Sequence, residues 1–251
     1  MALFETRGLT KRFLGVTAVD AVDLRIEAGE LVSLIGPNGS GKTTLFNCVT
    51  GYLPSDSGRV FFRDRDVTAV AAHRIARLGV GRTFQLVSVF PRLSALENLL
   101  TFLQQHQEER LLARLLRTRR LRRLEADAIE RARGLLELVG LAHRADAAAG
   151  ALSYGQRKLL AFAAALMSDP ELLLLDEPAA AVNPTMINQM KQHILALHRQ
   201  GKTVLLVEHN MEVVMDISQR IVVLDHGQKI AEGPPEAIRR DARVVEAYFG
   251  R

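Results

Sequence analysis

A single cysteine, Cys48, stands among 251 residues. The chain therefore cannot form an internal disulfide, and a reducing cytoplasm is its expected compartment. Long apolar runs are missing too. One of the longest, "LLAFAAALM" at 159–167, falls well short of the ~20 residues that span a bilayer, so any membrane role must come through a partner. The opening "MALFETRGLTKRF" has no apolar stretch of the kind a secretory signal carries. Internal repeats and low-complexity linkers are absent. One stretch has no acid: residues 110–123, "RLLARLLRTRRLRR", hold seven arginines. Without them the chain has 26 basic and 28 acidic residues, so the net charge of +5 reports a local patch and not a general nucleic-acid-binding surface. The patch reads most simply as a solvated helix face, with anionic lipid head groups or an acidic partner as the alternative.

What is present, 48% hydrophobic, suits one large domain or a core with a smaller subdomain. The first stretch reads as short alternating strands, turning at Gly29 into a continuous apolar strand from Leu31 to Ile35. Strands are expected over 58–67 and 79–85, with a short helix between them. From about Leu96 to Gly140 the pattern is helical, with Leu111, Leu112, Leu115 and Leu116 on one face and Arg110, Arg114 and Arg117 on another. After Ser153 come a helix, a strand at 172–175, a helix at about 185–200 and a strand at 203–209. A hairpin turning at His226–Gly227 and a short proline-opened helix follow. Strands alternating with helices imply an α/β core with a parallel sheet, here with an antiparallel β annex and an inserted all-α subdomain. The core and annex are expected over 1–85 and 151–251, and the helical subdomain over 86–150.

"GPNGSGKT", residues 36–43, matches G-x-x-x-x-G-K-[ST] at every fixed position, after an apolar strand and before a helix. Gly36, Gly39 and Gly41 permit backbone conformations that turn successive N–H groups onto phosphate oxygens. The helix N-terminus adds its positive dipole end. Asn38, Gly39, Ser40, Gly41, Lys42, Thr43 and Thr44 are the candidate nucleotide contacts. Lys42 would meet the β- and γ-phosphates, and Thr43 would offer its hydroxyl to Mg²⁺. A P-loop NTPase needs a second strand beside the first, ending in an acid that holds the metal. "LLLLD" fits, buried on both faces and closed by Asp176. Glu177 would then polarise a water aimed at the γ-phosphate; the plain alternative is a solvated turn residue.

Four further pieces follow in order: Gln85 after a strand, "LSYGQ" at 152–156, Asn183–Pro184 after "DEPAA", and His209 closing "TVLLVEH". With the P-loop and "LLLLDEP" they resemble the ATP-binding subunits of ABC transporters over essentially the whole chain. "SLIGPNGSGKTTLFNCVTG", "GVGRTFQ", "DEPAA", "VEHNMEVVM" and "VVEAYFG" narrow the resemblance to the LivG-type ATPases of branched-chain amino acid importers. The resemblance implies a fold, the ABC nucleotide-binding domain, and an activity, ATP hydrolysis coupled to transport. It implies ATP and Mg²⁺ as cofactors. Phe13 would stack on adenine; the alternative is an ordinary core aromatic. Gln85 would touch the metal and the attacking water and link the site to the helical subdomain. His209 would contact the γ-phosphate. Ser153, Gly155 and Gln156, at the start of a helix, would form a second anion site for ATP held by an opposite subunit.

The implied partners are transmembrane permease subunits, a second ATP-binding subunit (the same or a paralogue) and, indirectly, a periplasmic substrate-binding protein. Nucleic acid is not among them. The implied location is peripheral, on the cytoplasmic face of the inner membrane. The apolar stretch 86–100, with Val87, Val89, Phe90 and Leu93, is the candidate surface for a permease helix, against the alternative that it packs the helical subdomain. With the ending "AYFG", no regulatory domain is expected after about residue 240. Tyr154 stands where the common signature has glycine, and Asn183 where many relatives have aspartate. Rival readings fit less well. A DNA-repair ATPase would need long heptads between P-loop and signature, a ribosome-acting relative two cassettes, and a P-loop kinase would leave "LSYGQ" and His209 idle. Urea or an exported lipid are the alternative cargoes.

Overall fold

The computed structural model describes residues 2–83, 89–104 and 119–249. Gln85 and Val87 lie outside the described residues, as do Arg110, Leu111, Leu112, Arg114, Leu115, Leu116 and Arg117 of the arginine stretch. Two twelve-residue strands open the chain, β1 (Ala2–Phe13) and β2 (Val16–Glu27). They exceed the short strands expected because register shifts interrupt the pairing without ending it; Gly8 and Ala21 take positive φ at two successive shifts. β4 (Ser57–Phe62) pairs with the other edge of β1, and β5 (Arg65–Asp66) folds back on β4. The single strand expected over 58–67 is therefore a hairpin. Arg63 and Asp64 both adopt positive φ, a turn reached here without the glycine or asparagine that usually marks it. The antiparallel order is β2-β1-β4-β5.

The second sheet has the order β10-β9-β3-β8-β7-β6. Five strands run parallel: β3 (Leu31–Ile35), β6 (Val80–Arg82), β7 (Leu172–Asp176), β8 (Thr203–Val207) and β9 (Arg220–Asp225). β10 (Gln228–Gly233) returns antiparallel to β9 through His226 and Gly227, both at positive φ, as the hairpin pattern predicts. One expectation is corrected: β7 does not lie beside β3, because β8 is inserted between them. The loop after β8 thus sits between the phosphate loop and Asp176.

Nine α-helices are described: α1 (Lys42–Val49), α2 (Ala72–Arg77), α3 (Ala95–Gln104), α4 (Arg119–Leu138), α5 (Tyr154–Ala165), α6 (Pro184–Arg199), α7 (Met211–Ile217), α8 (Pro235–Arg240) and α9 (Ala242–Phe249). None among the described residues is long and apolar enough to cross a membrane. The pleat of β7 explains its unbroken leucines. Leu172 and Leu174 join a core with α1 and the antiparallel sheet, while Leu173 and Leu175 join a core with α3, α4, α5 and α6. β8 divides the same way, Leu205 and Val207 against Val204 and Leu206. A third cluster joins Ile35, Ile221 and Val223 to α7, α8 and α9.

The entry to α3 is tightly specified. Ser94 and Glu97 form a reciprocal capping box, Ser94 N–H donating to Glu97 Oε2 (2.7 Å) and Glu97 N–H to Ser94 Oγ (3.1 Å). Buried Asn98 takes the Phe90 N–H on Oδ1 (2.7 Å) and donates Nδ2 to the carbonyls of Phe90 (3.1 Å), Leu93 (3.2 Å) and Ser94 (2.8 Å). This holds Phe90, 54% exposed, at the surface while Val89 packs inward. Asn98→Ala is expected to cost about 1–3 kcal/mol in urea denaturation, since it strands these buried backbone groups. Asn98→Asp should do no better, because its second oxygen would face three carbonyls. A loss under about 0.5 kcal/mol for either would contradict the clamp.

Candidate functional site

The loop from β3 to α1 is shaped by close approach. A Cβ on Gly36 (φ 153°) would lie 2.1 Å from the Leu224 carbonyl oxygen, and one on Gly41 (φ 100°) 2.2 Å from that of Ala18. Only glycine fits either place. Gly41 is the N-cap of α1 and has no side chain to satisfy the first N–H groups, which stay available for an anion. Lys42 is buried and folded back, its Nζ donating to the carbonyls of Gly36 (2.8 Å) and Pro37 (2.9 Å) and, at 3.4 Å, to Ser40 Oγ. Burial pushes its pKa down, and the nearby charges of Glu177 and Asp176 act against that shift.

An open cavity of about 290 Å³ lies over this loop. Asn38, Gly39, Gly41, Lys42, Thr43 and Thr44 line it from one side, and Glu177 and His209 from the other, with Ala18 of β2 at the edge. His209 Nε2 lies 2.9 Å from Glu177 Oε1. Glu177 takes positive φ (50°), and its N–H donates to the Val207 carbonyl (2.9 Å), so the chain turns sharply as it leaves β7 and stays tied to β8.

Asp176 sits behind, only 3% exposed. Its Oδ2 receives Arg82 Nη2 at 3.2 Å, while its Oδ1 is buried without a hydrogen-bond partner among the described residues. Burial raises the Asp176 pKa, and the Arg82 guanidinium opposes the rise. Arg82 also donates Nη1 to Thr50 Oγ1 (2.7 Å), and its guanidinium lies over the rings of Phe46 (5.7 Å) and Tyr52 (5.4 Å). Lone Asp176 Oδ1 and the Thr43 hydroxyl fit a hard divalent cation that takes its other ligands from phosphate and water. No cluster of three acidic, histidine or cysteine ligands occurs among the described residues.

Other sequence-predicted residues lie apart from this cavity. Phe13, at the end of β1, is 44% exposed, with Lys11 Nζ 5.5 Å above its ring; it is not a core aromatic. Ser153 caps α5 in a capping box: Gln156 N–H donates to Ser153 Oγ (3.2 Å) and Ser153 N–H to Gln156 Oε1 (3.0 Å). A Cβ on Gly155 would meet Met186 Cε at 3.0 Å, so α5 and α6 touch there. Asn183 is the N-cap of α6, accepting from the Met186 N–H (2.9 Å), a role that needs no charge. Ser40 turns under the loop and is buried, and Gln85 lies outside the described residues.

Sequence reasoning missed Arg82, Lys158 and Glu208. Lys158, 6% exposed, donates Nζ to the carbonyls of Glu177 (2.8 Å), Pro178 (3.4 Å) and Ala180 (2.6 Å). Glu208, 2% exposed, accepts from the N–H groups of Ala179 (2.7 Å), His209 (3.1 Å) and Asn210 (3.3 Å). The available signals were a lysine at the head of the apolar run "LLAFAAALM" and an acid directly after "TVLLV".

Residues 19–180 match the family described as ABC transporter, and residues 228–251 match that described as branched-chain amino acid ATP-binding cassette transporter. The chain is 44% identical to BraF of Pseudomonas aeruginosa, a high-affinity branched-chain amino acid transport ATP-binding protein, over 99% of this chain and 98% of that one. It is 42% identical to LivG of Escherichia coli K12, named in the same way, over the same shares. Among solved structures, a nucleotide-free ATP-binding cassette from an ABC transporter and a cassette in its ADP conformation each superpose with a TM-score of 0.87. Both are 35% identical, with all of both chains covered.

The Arg82–Asp176 pair yields a stability prediction. Arg82→Met leaves a buried carboxylate without its cation and is expected to cost about 3–5 kcal/mol. Asp176→Asn in the same chain should restore part of that loss. A double-mutant cycle in urea measures the coupling, and a value under about 0.5 kcal/mol would contradict the pairing.

Proposed function

The chain belongs to the ATP-binding subunits of ABC transporters and is an ATPase; from that premise we propose that it powers import of branched-chain or related amino acids from the cytoplasmic face of the inner membrane. Two things support this cargo: the naming of the relatives and the match of residues 228–251 to the branched-chain family. The catalytic reading is carried by one observation, the convergence of Lys42, Thr43, Glu177 and His209 on a single cavity.

On binding ATP, Lys42 leaves the Gly36 and Pro37 carbonyls for the β- and γ-phosphates, exchanging neutral acceptors for charged ones. The N–H groups from Gly39 to Thr44 and the dipole of α1 complete the cradle, and Phe13 offers its exposed ring to adenine. Thr43 and Asp176, and Gln85 by the family resemblance, would hold Mg²⁺, which would supply charge neutralisation at the phosphate oxygens. Glu177 accepts a proton as the water oxygen attacks the γ-phosphorus, and the bond to the bridging oxygen of ADP breaks in line. His209, 2.9 Å from Glu177, orients that carboxylate and reaches the γ-phosphate.

Ser153, Gly155 and Gln156 stand at the start of α5 and do not line this cavity. Their helix N-terminus suits the ATP of a second subunit, the same chain or a paralogue, so that two ATP molecules lie between head-to-tail partners. The segment around Val89, Phe90 and Leu93 presents Phe90 outward on the Asn98 clamp and suits a permease helix. A periplasmic binding protein would act through that permease.

Uptake tests the reading. A strain lacking this subunit should lose high-affinity leucine, isoleucine or valine uptake. The wild-type chain should restore it, and neither Glu177→Gln nor Ser153→Arg should. Unchanged amino acid uptake with lost urea uptake, or with an outer-membrane lipid defect, would move the cargo elsewhere.

A further inference from the structure

The catalytic reading leaves three groups unused. Lys158 is a cation buried inside the signature helix. Glu208 is an anion buried at the end of β8. Tyr154 is the bulky residue where a glycine was expected. All three meet the same short loop or each other. The loop is Glu177–Ala180, which leaves β7 with Glu177 at positive φ. Lys158 Nζ takes three of its carbonyls, those of Glu177, Pro178 and Ala180. Glu208 takes the intervening Ala179 N–H and, on its other oxygen, the N–H groups of His209 and Asn210. The ring of Tyr154 lies 5.8 Å from Lys158 Nζ, one helical turn before it.

Burial depresses the Lys158 pKa and raises that of Glu208, and the attraction between the two opposes both shifts. A neutral pair of the same shape would avoid that desolvation. What the charges add is direction: four backbone groups of one tight loop are fixed between a cation and an anion, together with the N–H groups of His209 and Asn210. We propose that Lys158 and Glu208 are positioning residues that grip the Glu177–Ala180 loop and set the aim of the Glu177 carboxylate at His209 and the cavity. This rests on the reading of Glu177 as the group that activates water. Because Lys158 belongs to the helix capped by Ser153, the grip also joins a subunit's own catalytic loop to the helix end offered to its partner's ATP. Tyr154 supports the Lys158 head group from the surface side.

Steady-state ATPase kinetics of the full-length protein test this, with Lys158→Met, Lys158→Arg, Glu208→Gln and Glu177→Gln measured beside the wild type. Lys158→Met keeps the stem and removes the donors. It is expected to lower kcat roughly tenfold or more while KM for ATP stays within about twofold, because the loop is misplaced and the phosphate loop is not. Lys158→Arg keeps a donor set and should regain most of the rate. Glu208→Gln, close in shape, keeps one acceptor and should lower kcat several-fold with KM again unchanged; it carries the test if Lys158→Met does not fold. Unchanged kcat in folded Lys158→Met or Glu208→Gln would overturn the proposal and leave the pair a stability element. So would a parallel loss of kcat and nucleotide affinity. Wild-type turnover in Glu177→Gln would instead remove the underlying catalytic reading, a result seen without reference to the other variants.

Discussion

Charge can be held inside this protein only where every ionised group finds a partner, and the architecture is arranged around that constraint. An unpaired buried ion costs several kcal/mol even after relaxation. Yet Lys42, Asp176, Lys158 and Glu208 are all nearly closed off from water at the carboxyl ends of β3, β7 and β8. Each is answered locally: Lys42 by loop carbonyls, Asp176 by Arg82, Lys158 by three carbonyls and Glu208 by three N–H groups. Asp176 Oδ1 is a buried side-chain oxygen without a hydrogen-bond partner among the described residues.

The sheet makes these positions accurate. β8 lies between β3 and β7, and residues 204–207 and 172–175 divide by pleat between two separate apolar cores. With both faces covered, a one-residue slip would send every leucine and valine of the strand into the opposite core and undo the packing on both sides. The loops after these strands therefore start from fixed points, and their side chains converge without long-range adjustment. The antiparallel sheet contributes by close approach. The Ala18 carbonyl of β2 packs against Gly41, so the annex that carries Phe13 also helps to shape the phosphate loop.

Much of this was legible in the sequence, for reasons particular residues make plain. The phosphate loop announces itself because its geometry demands Gly36 and Gly41 and its chemistry demands Lys42. The hairpin at His226–Gly227 and the unbroken leucines of β7 follow from turn chemistry and burial on both faces. The hairpin at Arg63–Asp64 was hidden because Arg63 is not a usual bearer of positive φ and no glycine follows the aspartate. The position of β8 between β3 and β7 was hidden because strand order is a tertiary fact that no local pattern encodes. Lys158 and Glu208 were hidden for a related reason. Their partners are backbone groups, which leave no mark in the sequence, and each alone looks like a charge on a surface. The departures at 154 and 183 find local roles instead, a ring beside Lys158 and an N-cap for α6.

In the proposed mechanism nucleotide holding and water activation rest on different residues, Lys42 and Asp176 for the first and Glu177 for the second. Equilibrium ATP binding and steady-state hydrolysis measured together on Glu177→Gln test that division most directly. ATP affinity should match the wild type while hydrolysis falls by roughly 10²-fold or more, the usual loss when a general base is removed. Hydrolysis at the wild-type rate, or loss of binding along with turnover, would contradict it.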